Sequence, residues 1–145
     1  MKSLGREIKK LSNEHFRFTN RYLIHHFPDH CSPMQTFFIH HIGKQTEPIF
    51  QKDLENWFNI RRSSASENLS QMENIGLIER VANQKDMRLK EIILTAEGEE
   101  YFQKTKTAFG ELNRQLAKNL SESEIEMFYS VTEKMIENMK EEETI

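Results

Sequence analysis

Between Leu54 and Leu94 the apolar residues change rhythm within one step, and a single glycine marks the place. Ala65, Leu69 and Met72 follow one another at intervals of four and three, the spacing that lines one face of a helix. Gly76 comes next and can take the left-handed backbone conformation that ends a helix; Leu77-Ile78 then begins a strand at once. Leu89–Leu94, rich in β-branched and apolar residues at Ile92, Ile93 and Leu94, predicts a second strand, and the polar residues Asn83–Met87 form the connection. A helix that stops on one glycine and runs directly into a two-stranded hairpin leaves few folds to choose from.

The flanking sequence fills in the remaining elements. Upstream, Leu4, Ile8, Leu11, Phe18, Tyr22 and Leu23 place one stripe on a long helix that Pro28 and Asp29 stop. Ser32-Pro33-Met34-Gln35 reads as a helix start, with Ser32 and Gln35 spaced for a capping box, and that helix carries Phe37, Phe38, Ile39 and Ile42 toward Gly43. A short helix over about Gln51–Phe58 follows, and after Asn59 and Ile60 the helix bearing Ala65, Leu69 and Met72 runs to about Asn74. Beyond the hairpin, Thr95 is placed to cap a long helix with Glu97, Glu99 and Glu100 in its first turns, and Ser121-x-x-Glu124 opens a last one. The expectation is a mainly α fold with a small β-hairpin wing (α+β). Two short adjacent helices followed by a hairpin make a winged helix-turn-helix over about residues 46–95, and residues 1–30 and 96–145 supply long terminal helices for dimerisation within a single 1–145 domain.

No apolar run approaches the ~18 residues a membrane helix needs, and the single Cys31 has no partner for an internal disulfide. The expected setting is a reducing cytoplasm, away from membranes. The net charge of −3 argues weakly against a polyanionic partner until it is divided along the chain. Residues 60–90 hold six basic and four acidic side chains, whereas residues 91–145 hold six and 13. The acidity sits almost wholly in the last third, so the middle can still present a basic face.

The run Met72-Glu73-x-x-Gly76-Leu77-Ile78-Glu79-Arg80, then Asp86-Met87-Arg88, then Leu94-Thr95-x-x-Gly98 resembles the MarR family of bacterial transcription regulators in order and spacing. The resemblance covers nearly the whole chain and implies a homodimer that binds a pseudo-palindromic operator in double-stranded DNA, most often as a repressor and sometimes as an activator, with many members released by small ligands. It also implies a ligand cleft walled here by Tyr22, His26, Phe37, His41 and Phe109. Two positions depart from the family pattern: Phe50 stands where a Thr or Ser usually opens the first short helix, and Arg61 where a Ser or Asp usually caps the second.

The chemistry of the same residues fits DNA. Asp86 lies two residues before Arg88, so its carboxylate can hold the guanidinium in place for a narrow, electronegative minor groove. Arg80, Lys85 and Lys90 can add phosphate contacts. In the preceding helix, Arg61 and Arg62 suit guanine or phosphate, Ser63, Ser64 and Ser66 let a helix approach closely, Asn68 suits adenine, and Glu67 lies among them. Ser64-x-x-Glu67 is itself a capping box, so two starts for this helix compete, one near Arg61 and one at Ser64.

Other classes of function find less support. There is no Gly-rich phosphate loop, GxSxG, HExxH or CxxC, so no enzyme is expected, and no cofactor. A winged helix can instead serve as a protein-interaction module, although such a module has no need of Asp86 beside Arg88. A metal- or redox-sensing regulator is the other alternative, since His25, His26, His30, Cys31, His40 and His41 fall within 17 residues. Zinc-sensing relatives also take ligands from the long helix after the hairpin, yet Lys104–Leu116 has no His or Cys, and Pro28 separates His26 from His30; no metal is expected. Cys31 precedes a helix N-terminus, which would lower its pKa. The sensing cysteine of the peroxide-responsive branch, however, resembles a position where this chain has Asn13, Glu14 and His15.

Overall fold

The computed structural model describes residues 2–27 and 31–142, so Pro28, Asp29 and His30 lie outside the described residues. In chain order the elements are α1 (Leu4–His26), α2 (Pro33–Gly43), α3 (Gln51–Phe58), α4 (Arg62–Asn74), β1 (Ile78–Ala82), β2 (Lys90–Leu94), α5 (Ala96–Leu116) and α6 (Glu122–Glu142). Among the described residues this is the mainly helical fold with one hairpin that the apolar rhythm predicts. The chain divides into two compact units, Met1–Phe109 and Gly110–Ile145, and the division falls inside α5.

Helix starts follow the local chemistry. Ser32 accepts from the Gln35 N–H at 3.2 Å while the Gln35 side chain accepts from the Ser32 N–H at 3.4 Å, a complete capping box. At α3, where Phe50 has no side-chain oxygen to offer, Asp53 takes over and accepts from the Phe50 N–H at 2.9 Å. In α4 the residues turn helical at Arg62, so the start near Arg61 prevails and Ser64 lies inside the helix. At its other end Gly76 has φ +82°, the Leu77 N–H donates to Met72 at 3.0 Å and the Gly76 N–H donates to Glu73 at 3.1 Å. That pair of bonds is the Schellman motif, and a side chain at Gly76 would strain it.

The hairpin pairs antiparallel from Ile78↔Leu94 to Ala82↔Lys90. Its tip is longer than expected, because the Leu89 N–H turns inward to the Asp86 carbonyl at 3.0 Å, so β2 opens at Lys90. The core of the first unit centres on α2, whose Phe38 and Ile39 are fully buried with Leu54, Leu69, Met72 and Ile78. Each such side chain contributes roughly 1.5–3 kcal/mol by leaving water. Leu69 and Met72 thus hold one face of α4 against the core and leave the opposite face free. Leu4, Ile8, Leu11 and Phe16 on α1 are exposed, and so, within the second unit, are Phe128, Tyr129, Ile136 and Met139 on α6.

Candidate nucleic-acid interface

Only Asn59 and Ile60 separate the end of α3 from the Arg61 cap of α4. Asn59 takes the left-handed conformation (φ 49°), so α3 ends abruptly and α4 sets off in a new direction. Gln51 at the start of α3 donates to the Arg62 carbonyl at 3.4 Å and ties the two helices together. Ala65, fully buried, allows close approach on the inner side, while Arg61, Arg62, Ser63 and Glu67 are exposed and Ser64 and Ser66 half-buried. Arg61 makes no side-chain cap at the start of α4. An uncapped helix start flanked by two arginines suits a phosphate.

Asn68 does not behave as expected. Its amide is half-buried, donates to the Ser64 carbonyl at 2.9 Å and accepts from Gln35 at 3.2 Å, so both ends serve the protein and not a base. Arg80 is likewise drawn inward. Its guanidinium, 23% exposed, meets Glu73 at 3.4 Å and donates to Ser70 at 3.2 Å, which makes it a brace from β1 to α4.

The tip of the wing is built on side-chain acceptors. Asn83 accepts from the N–H groups of Lys85 and Asp86, both at 2.9 Å, and closes the turn. The Asp86 carboxylate then accepts from the Arg88 backbone N–H at 3.1 Å, from Nε at 3.0 Å and from Nη2 at 3.1 Å. These bonds hold the Asp86 carboxyl below the usual range and raise the Arg88 guanidinium further. Arg88 nevertheless leaves 90% of its side chain to solvent. Lys85 and Lys90 are exposed beside it. Exposed Met87 and Leu89 flank it as well, apolar neighbours to which a pattern of charges does not point.

The five residues expected to wall a ligand cleft fall into two groups. Tyr22 and His26 stack on each other at 3.9 Å along α1. Phe37 and Phe109 lie 5.3 Å apart, His41 lies 3.9 Å from Trp57, and Phe58 joins these pairs, 6.3 Å from Phe37 and 5.6 Å from His41. Phe37 and Phe109 therefore pack with the core, and His40, stacked at 4.2 Å on Phe109, belongs to the same cluster.

Among the described residues no three His, Cys, Asp or Glu side chains gather to hold a metal ion. Burial raises the Cys31 thiol to about 11, and its contact with Tyr101 only partly offsets this, so the lowering expected from the start of α2 does not occur. His40 is lowered to about 4, first by burial and then by Lys44, His41 and Lys106. The Thr105 hydroxyl donates to the Phe102 carbonyl at 2.7 Å, so toward His40, 2.9 Å away, it accepts, which places the ring proton on Nδ1. A histidine whose folded pKa lies below its unfolded value keeps its full stabilising effect above the ordinary 6.5 and loses it as pH falls toward 4. Melting temperature is expected to drop between pH 7 and 5, and the slope to flatten in His40→Gln; equal slopes in calorimetry would count against this burial.

Residues 32–98 match the family described as Winged helix DNA-binding domain. No curated protein matches the chain by sequence. Among solved structures, a putative MarR family transcriptional regulator from Listeria monocytogenes complexed with 26mer DNA is 22% identical, with TM-score 0.80, covering 98% of this chain and 92% of its own. The S. aureus MepR-DNA complex is 22% identical, with TM-score 0.78 and coverage of 95% and 99%. The reduced form of MarR from E. coli is 23% identical, with TM-score 0.73 and coverage of 93% and 97%. The fold is common to all of them.

Proposed function

We infer that this chain, a winged helix protein with the fold of the MarR family of transcriptional regulators, binds double-stranded DNA and represses transcription in the cytoplasm. The carrying observation is Arg88, held at three points by Asp86 and yet almost fully exposed at the wing tip. An arginine pre-set in this way loses little entropy on entering a narrow minor groove. The outer face of α4 with Arg61, Arg62, Ser63, Ser66 and Glu67 is the major-groove element, and Lys85 and Lys90 supply phosphate contacts. DNA bound to two of the similar structures supports this reading.

The working form is a homodimer. On α1, Leu4, Ile8, Leu11 and Phe16, and on α6, Phe128, Tyr129, Ile136 and Met139, are apolar residues left in water, and each set gains by burial against a second copy. Two-fold symmetry would match the halves of a pseudo-palindromic operator.

The test is a titration of a palindromic duplex, taken from the gene's own promoter, at several salt concentrations with the protein's mass followed by light scattering. Affinity should fall steeply with salt, by about 0.9 log units per tenfold salt for each phosphate neutralised, and the bound protein should have twice the 17.3 kDa chain mass. Salt-independent binding, or binding by a single chain, would remove the corresponding half of the reading.

A further inference from the structure

We propose that Gln35 is a positioning residue for the recognition helix: through Asn68 and Gln71 it sets the rotation of α4 about its own axis, and hence which side chains face the bases. This rests on the DNA-binding reading above. Gln35 is only 6% exposed and stands at the start of α2. Its Nε2 donates to Asn68 Oδ1 at 3.2 Å and to Gln71 Oε1 at 2.7 Å, across 33 and 36 residues of sequence.

Both ends of this link are fixed by main-chain groups that have no choice of role. The Ser32 N–H can only donate, so it claims Gln35 Oε1 and turns Nε2 toward α4. The Ser64 carbonyl can only accept, so it claims Asn68 Nδ2 and turns Oδ1 toward α2. The Gln35 donor therefore meets the Asn68 acceptor with neither of those two amides left free to flip, and Gln71 Oε1 adds a second acceptor from the exposed side. Apart from the Gln51 link to the Arg62 carbonyl and the Arg80 brace to Ser70 and Glu73, α4 meets the core through Ala65, Leu69 and Met72, fully buried side chains whose packing has no direction of its own. Helices packed only by such residues can rotate or slide at little cost, whereas a buried amide bonded at this geometry cannot. Asn68 and Gln71 are about one turn apart, and Asn68 lies within a turn of Ser66 and Glu67 on the outer face. A tilt or rotation of α4 that breaks one bond therefore misplaces every base-facing residue at once.

The cap of α2 and the link to α4 use different atoms of Gln35, so a single substitution separates them. Gln35→Glu keeps an oxygen for the Ser32 N–H, the usual capping-box arrangement, but sets a carboxylate oxygen against the acceptors of Asn68 and Gln71. The probes are a duplex recovered by wild-type protein from a randomised library and a scrambled duplex of the same composition. Gln35→Glu is expected to bind the selected duplex about tenfold or more weakly, with scrambled-duplex affinity within about twofold, since phosphate contacts do not depend on helix rotation. Gln71→Met, at an exposed position, removes one acceptor without touching the cap and is expected to lose about threefold or more on the selected duplex alone. If Gln35→Glu fails to fold, Gln71→Met decides by itself. Folded variants that still discriminate the two duplexes as wild type does would overturn the positioning role. Wild-type protein that enriches no duplex would instead sink the DNA-binding reading, and this inference with it.

Discussion

Gly98→Ala is expected to lower stability by about 2–4 kcal/mol, which corresponds to a melting temperature about 5–15 °C lower for a chain of this length. Gly98 lies buried in the first turn of α5, and a Cβ built there would collide with the backbone carbonyl oxygen of Leu77 and touch Leu94 Cβ at 3.4 Å. The Leu77 oxygen is not free to withdraw, because it accepts from the Thr95 N–H at 3.1 Å. Thr95 in turn donates to the Gly76 carbonyl at 2.6 Å and accepts from the Gly98 N–H at 3.0 Å. The end of α4, the root of the hairpin and the start of α5 thus meet within one small set of backbone bonds. Relief must come from moving α5 or the hairpin, and either shift disturbs core contacts at Ile78 and Tyr101. Thermal melts of the two proteins at one pH decide the matter. A variant as stable as wild type would mean that α5 can lift away without cost.

This junction also shows what the sequence made legible. Thr95 as a cap and Gly76 as a helix stop follow from local chemistry: a hydroxyl reaches a neighbouring N–H, and a glycine tolerates positive φ. The same holds for Asp86 and Arg88, two residues apart on one turn, and for the capping boxes at Ser32 and Ser121, the latter accepting from the Glu124 N–H at 3.1 Å. What stayed hidden depends on partners distant in sequence. Asn68 had the right identity and a plausible face for reading a base, but its fate is decided by Gln35, 33 residues earlier. Arg80 lies on the strand nearest α4, so Glu73 and Ser70 capture it. Cys31 precedes a helix start, a local feature that lowers a thiol's pKa, yet burial overrides it. Each of these side chains is amphiphilic or polar with two credible roles, and tertiary packing chooses between them. A usable signal did exist for Gln35: a capping box usually carries Glu or Gln, and Gln alone brings donors that need a second acceptor.

Arg88→Ala is expected to weaken binding to the selected operator on the order of tenfold to a hundredfold, while the melting temperature stays within about 2 °C of wild type. The two expectations come from the same geometry. With 90% of its side chain in solvent and its partner Asp86 on the same turn, Arg88 holds no other element in place, so folding has little to lose. Binding has much to lose, because the wing then enters the groove with Asp86 alone and brings a negative charge toward the phosphates. Arg88→Lys separates charge from shape. A lysine restores the counterion released at the groove, so the slope of log affinity against log salt should return, but it cannot accept the forked hold of Asp86 through Nε and Nη2, and affinity should recover only in part. Asp86→Ala supplies the opposite control: the arginine keeps its charge but loses its brace, so scrambled-duplex affinity should rise through the removed negative charge while preference for the operator falls. Titrations of the four proteins against both duplexes at two salt concentrations resolve these effects. Operator binding by Arg88→Ala equal to wild type would remove the wing from the interface and leave α4 as the sole reading element.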